Sequence, residues 1–149
     1  MSEPSADSND KKQVLFICTG NTCRSVMAEF IARKYFGKIV TVCSAGFRPQ
    51  VAEDAENAIY TLKKLLGIDA SRHRPRDIHE IDVHSFDLVV TMDGQVAKQF
   101  KEKFKNYPLE RLAIWKIKDP WGDDLTEYEQ CARKIYAELK RLPILKESE

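Results

Sequence analysis

The stretch Val14-Leu15-Phe16-Ile17-Cys18-Thr19-Gly20-Asn21-Thr22-Cys23-Arg24-Ser25 limits what this chain can fold into more than any other. Val14 to Ile17 form an unbroken apolar run ending on Cys18, the pattern of a buried parallel strand. A short polar loop, Thr19 to Cys23, leads to Arg24 and Ser25, after which Val26 to Ala32 is helix-forming. A strand, a tight loop and a helix start therefore follow one another without a spacer. Backbone N–H groups of such a loop can converge on an anion, and the helix dipole adds to them. Gly20 permits a backbone angle that a larger residue would resist. Asn21 is among the few other residues that tolerate the left-handed region.

The remaining chain repeats this alternation. Residues 25–36 read as a helix stopped by Gly37, and Ile39–Cys43 as a second strand ended by Ser44-Ala45-Gly46. Between Ala52 and Leu66, Ala55, Ala58, Ile59, Leu62, Leu65 and Leu66 share one helical face, and Gly67 is the stop. An irregular basic stretch over residues 69–76 precedes a third strand, Phe86–Thr91, and a helix from Gly94 to Phe104. Leu112–Trp115 is the fourth strand. Leu125–Leu142 is the last helix, with Tyr128, Cys131, Ile135 and Leu139 on one stripe. Strands alternating with helices predict a single three-layer α-β-α domain, a four-stranded parallel sheet flanked by helices with the anion loop after the first strand. Ligands bind such sheets at the C-terminal strand ends. Cys18, Ser44, Met92-Asp93 and the loop holding Asp119 should therefore gather on one rim.

Residues 13–149 are assigned to this domain, and residues 1–12 read as a disordered polar tail without the apolar core of a signal peptide. The formal net charge of +1 gives no general attraction to nucleic acid or membrane, so anion binding must be local. No apolar run approaches the roughly 18 residues that span a bilayer. Of the four cysteines, Cys43 and Cys131 fall on core patterns. Without a secretion signal, a reducing cytoplasm is the expected setting, where the notable thiol is a nucleophile and not a staple.

Thiolates are the working form of cysteine nucleophiles, and a helix N-terminus beside an arginine favours that form. The Arg24 guanidinium offers a planar fork for two phosphate oxygens. Cys18 under such a cradle implies attack on phosphorus and a phosphocysteine intermediate. The reaction needs an acid for the leaving group, and Asp119, in a loop stiffened by Pro120, is the candidate. Trp121 and Phe47 are candidate aromatic walls for a substrate.

The segment Cys18-Thr19-Gly20-Asn21-Thr22-Cys23-Arg24-Ser25 resembles the Cys-x5-Arg-Ser phosphate loop of the low-molecular-weight protein-tyrosine phosphatase family. Ser44-Ala45-Gly46, His73-Arg74-Pro75-Arg76, the run from Asp87 to Asp93 and Asp119-Pro120-Trp121-Gly122 resemble further family segments, in family order. The resemblance implies roles: Cys18 as nucleophile, Arg24 on the phosphoryl oxygens, Asp119 as acid and then base. It implies that Thr19, Gly20, Asn21, Thr22, Cys23 and Ser25 bind the phosphate, with Ser25 donating to Cys18. Ser44 and His73 would brace Asn21, and Asp93 the rim. Neither a metal nor a cofactor is implied. The implied partner is a phosphorylated protein, with no nucleic acid and no membrane, and the enzyme a monomer or weak homodimer.

The chain departs from the family pattern at Val26, where many members carry proline. Cys23 is either a small loop residue or the partner of Cys18 in a reversible protective disulfide, which the resemblance supports. Thr22 resembles the protein-arginine phosphatase branch, whereas Trp121 favours a flat aromatic ring. The leading expectation is phosphotyrosine hydrolysis, with phosphoarginine as the alternative. Arsenate reduction on the same fold stands third, because residues 87–115 hold no cysteine to resolve a disulfide. A zinc set of Cys18, Cys23, His79 and His84 is disfavoured by the cation already at Arg24.

Overall fold

The computed structural model describes residues 11–146. The chain alternates β1 (Lys12–Cys18), α1 (Arg24–Phe36), β2 (Val40–Gly46), α2 (Glu56–Leu66), β3 (Leu88–Thr91), α3 (Gly94–Lys103), β4 (Leu112–Ile114) and α4 (Leu125–Arg141). The strands form one parallel sheet in the order β2-β1-β3-β4. The α/β class, the four strands and the loop after β1 are those expected from the sequence. The tail assigned to residues 1–12 lies outside the described residues except at its end. There Lys12 is already paired with Val40 as the first residue of β1.

The apolar run of β1 alternates between two cores, which is why it carries no polar residue. Val14, Phe16 and Cys18 join α1, α2 and α4 on one face through Met27, Ile31, Leu62, Tyr128 and Ile135. Leu15 and Ile17 join Val96 and Phe100 of α3 on the other, with Ile78, Val83 and Phe86. The sheet is covered on both sides, as parallel sheets require.

Several boundaries differ from the sequence expectation: β1 begins at Lys12, α1 at Arg24 and β3 at Leu88 instead of Phe86. Two other differences are larger. Ser44, Ala45 and Gly46 do not end β2 but complete it, because each pairs with β1 up to the register Cys18↔Gly46. The first turn of the predicted Ala52–Leu66 helix is a 3-10 turn over Ala52–Ala55, and the α-helix starts at Glu56. Gly67 closes it with a φ of 68° and a backbone N–H to the Leu62 and Lys63 carbonyls, the left-handed cap that favours glycine. No described helix is long and apolar enough to cross a membrane.

The order β2-β1-β3-β4 sends the chain from β1 to one side for β2 and to the other for β3. The crevice at the C-terminal end of β1 is therefore the switch point where doubly wound sheets bind ligands. The loop after Cys18 occupies it.

Candidate active site

Cys18 ends β1 and is 3% exposed. The loop that follows folds back on itself at Asn21, the only described non-glycine residue with positive φ, at 56°. The side chain that tolerates this angle also secures it. Asn21 Nδ2 donates to Ser25 Oγ and to Ser44 Oγ, each at 2.9 Å. Asn21 Oδ1 accepts the Arg76 N–H at 2.8 Å, and the Asn21 carbonyl lies 2.8 Å from His73 Nε2. Ser44 and His73, two of the residues singled out in the sequence, are thus both brought into hydrogen-bond contact with Asn21. Burial lowers the His73 pKa despite the opposing Asn21 carbonyl, so the ring is neutral and donates through Nε2.

Gly20 has another role than the one expected. It shows no positive φ; its missing Cβ makes room for Gln50, whose Oε1 would lie 2.9 Å from it. Gly46 is the tighter position. A Cβ there would sit 2.5 Å from the Thr19 carbonyl oxygen and 2.9 Å from the Asn21 nitrogen. Close approach of β2 to the loop therefore requires glycine.

Ser25 Oγ lies 2.9 Å from Cys18 Sγ. Because Ser25 Oγ already accepts from Asn21, its own hydrogen is free to point at the sulfur. Arg24, 3% exposed, opens α1 beside it. Its Nη1 donates to Asp93 Oδ2 at 2.7 Å and to the Ile117 carbonyl at 2.9 Å. Its Nε is buried with no partner, and Nη2 has only Asp119 Oδ2 at 3.8 Å. One corner of the guanidinium is anchored while the Nε–Nη2 edge, which fits two oxygens of a tetrahedral oxyanion, is unpaired. Burial works against the Arg24 charge, but the Asp93 hydrogen bond and the nearby acidic groups outweigh it and raise its pKa. Burial likewise opposes ionisation of Asp93, yet Arg24 and the Val96 N–H hold its carboxyl below the usual range.

Asp119 and Trp121 stand on the open side. The Asp119 side chain is 50% exposed, and its Oδ1 accepts the Trp121 N–H at 3.0 Å. Trp121 is 47% exposed. Cys18, Thr19, Gly20, Thr22, Cys23, Arg24, Asp119 and Trp121 all line one cavity of about 110 Å³, and Gln50 joins them. Drug-sized ligands occupy roughly 300–1,000 Å³, so this space fits a small oxyanion. A larger groove of about 370 Å³ between Tyr35, Leu65 and Tyr136 assembles no nucleophile with an acid. Phe47 does not line the site. Its ring is edge-on to His79 at 6.3 Å and packs on the second core.

Cys23, five residues on, is unlike Cys18. Burial pushes its thiol up to about 12, and its Sγ contacts Tyr128 Oη at 3.4 Å. Cys131 is buried on α4, 3.8 Å from the Lys118 carbonyl, and is also pushed up to about 12 by burial. All described cysteines are free.

Sequence reasoning missed Glu29 and Gln50. Glu29 is buried, accepts from Ser44 Oγ and pairs with Arg33, extending the chain of bonds behind Asn21. Its position four residues after Ser25, within an otherwise apolar helical face, was the available signal. Gln50 lies in a loop where only folding brings it to the cavity, and no local pattern marks it.

The family model for low molecular weight phosphotyrosine protein phosphatase matches residues 13–147. The chain belongs to the low molecular weight phosphotyrosine protein phosphatase family. Among its relatives, arsenate reductase 2 of Staphylococcus epidermidis is 34% identical over 130 residues, covering 85% of this chain and 92% of that protein. The low molecular weight protein tyrosine phosphatase from T. tengcongensis superposes with a TM-score of 0.77 at 32% identity, covering 89% of this chain and all of that one. The YwlE arginine phosphatase from Geobacillus stearothermophilus gives 0.75 at 25% identity, covering 87% and 89%. The proteins this chain resembles thus carry different named substrates, and the fold alone does not choose among them.

Proposed function

We propose that this member of the family hydrolyses phosphotyrosine in proteins through a phosphocysteine intermediate. The observation that carries the reading is the Nε–Nη2 edge of buried Arg24, with no partner at Nε and only the distant Asp119 carboxylate at Nη2, in one small cavity with Cys18 and Asp119. Cys18 Sγ attacks phosphorus and the P–O bond to the leaving phenol breaks. Arg24 and the loop N–H groups hold the equatorial oxygens, whose charge grows in the transition state. Asp119 gives its proton to the phenolic oxygen. Water then attacks the phosphocysteine, Asp119 takes the water proton, and the sulfur leaves as a thiolate facing Ser25 Oγ–H. Trp121 beside the cavity suits a flat ring on the leaving group.

A second reading is phosphoarginine hydrolysis. It is favoured by Thr22, 3% exposed and lining the cavity, and by the likeness to an arginine phosphatase. Arsenate reduction, the activity named for several relatives, needs a second thiol that ionises, attacks the sulfur of the nucleophile's arsenic adduct and expels arsenite as the two sulfurs form a disulfide. Cys23 and Cys131 are both pushed up to about 12, and residues 87–115 contain no cysteine, which weighs against it.

One panel on purified protein tests these readings: phosphotyrosine, phosphoarginine and phosphoserine peptides, and arsenate with thioredoxin. The expected result is turnover of the phosphotyrosine peptide above the others. Arsenate turnover with no phosphatase activity would overturn the reading.

A further inference from the structure

We propose that Gln50 is a specificity-determining residue that acts by orienting the Thr22 hydroxyl; this rests on the phosphatase reading above. Thr22 Oγ1 donates to Gln50 Oε1 at 3.1 Å, and both residues line the cavity above Cys18. A hydroxyl carries one hydrogen and two lone pairs. With its hydrogen committed to Gln50, Thr22 can offer a substrate only lone pairs.

The Gln50 side chain is held where it can do this. The Gln50 backbone N–H donates to the Gly20 carbonyl at 3.1 Å, and the Arg48 backbone N–H donates to the Thr19 carbonyl at 2.8 Å, so residues 48–50 are stitched to the phosphate loop. Gly20 leaves the space that the carboxamide occupies, since a Cβ there would meet Gln50 Oε1 at 2.9 Å and Cδ at 3.0 Å.

An oriented acceptor separates leaving groups by chemistry. The bridging oxygen of an aryl or alkyl phosphate has no hydrogen to donate. A phosphorylated guanidine carries N–H groups next to the P–N bond. Thr22 and the Asp119 carboxyl are then both available to such N–H groups, so the Gln50–Thr22 pair tilts the cavity toward substrates phosphorylated on nitrogen. Specificity built on a hydrogen bond is lost when the acceptor is free to rotate away.

The test measures kcat/KM for a phosphoarginine peptide and a phosphotyrosine peptide of the same sequence, in wild type, Gln50→Leu, Gln50→Glu, Thr22→Val and the double variant Gln50→Leu/Thr22→Val. The expected phosphoarginine-to-phosphotyrosine ratio falls about tenfold in Gln50→Leu, the effect of one oriented hydrogen bond. Gln50→Glu, which keeps an acceptor for Thr22, holds the wild-type ratio. The double variant matches Thr22→Val alone, because Gln50 acts through Thr22. An unchanged ratio in Gln50→Leu, additive losses in the double variant, or a wild type inactive on phosphoarginine but active on phosphotyrosine overturns the proposal while leaving the phosphatase reading intact. A wild type inactive on both peptides overturns both.

Discussion

The floor of the site and its rim are built differently. On the floor, Asn21, Ser25, Ser44, Glu29 and His73 are buried and joined by hydrogen bonds that run from Cys18 back to Arg33. At the rim, Asp119 and Trp121 are half exposed, linked to each other by one hydrogen bond from the Trp121 N–H to the Asp119 carboxylate, and Gln50 is exposed. In the proposed reaction the floor positions the groups that face the phosphoryl oxygens, which are common to every candidate substrate. The rim then faces the leaving group, where candidates differ. Preorganisation is thus concentrated where charge develops, as electrostatic catalysis requires, and substrate choice is left to the looser side.

Perturbing the two regions should give different signatures. Asp119→Ala, at the rim, should slow turnover by about 10²–10⁴-fold on poor leaving groups such as alkyl phosphates, and much less on nitrophenyl phosphate. Steady-state kinetics across a leaving-group series checks this; equal losses along the series would remove Asp119 as the acid. Arg24→Lys, where floor meets rim, keeps a charge but loses the free edge. It should cost about 10²–10³-fold in kcat/KM for every substrate alike.

Asn21→Ala acts on the floor. It puts alanine at φ 56° and leaves the Arg76 N–H without its acceptor. We expect a loss of about 2–4 kcal/mol in urea unfolding, together with lower activity on all substrates. Trp121→Ala should leave the unfolding midpoint unchanged, so similar midpoints for both variants would erase the contrast drawn above. The smallest effect concerns pH. Burial lowers the His73 pKa in the folded protein, so the unfolded chain binds this proton more readily. Stability should therefore decline as pH falls below about 6.5, the unperturbed histidine value. His73→Gln should flatten that slope.

Much of the floor was legible because local chemistry dictates it. A left-handed loop position, a phosphate fork and a nucleophile each demand a residue type, and Asn21, Arg24 and Cys18 supply them at short spacing. The sheet was legible because β1 must be apolar on both faces. The misjudged positions depend on contacts between distant segments. Gly20 was expected to supply a backbone angle, but its φ is not positive and Gln50, thirty residues on, lies where a Cβ would sit. Phe47 looked like a substrate wall until its ring was found packed on His79. Gly46 needed the register with β1 before its clash with the Thr19 carbonyl could be seen.

The central claim is that Cys18 carries the phosphoryl group. Rapid acid quench of the Asp119→Ala variant mixed with nitrophenyl phosphate, whose leaving group needs no acid while hydrolysis of the intermediate lacks its base, followed by peptide mass spectrometry, tests it directly. The account predicts one phosphoryl group on the peptide containing Cys18, formed in a burst and absent in Cys18→Ala. Turnover with Cys18 unmodified at every quench time, or a Cys18→Ala variant that still turns over, would contradict it.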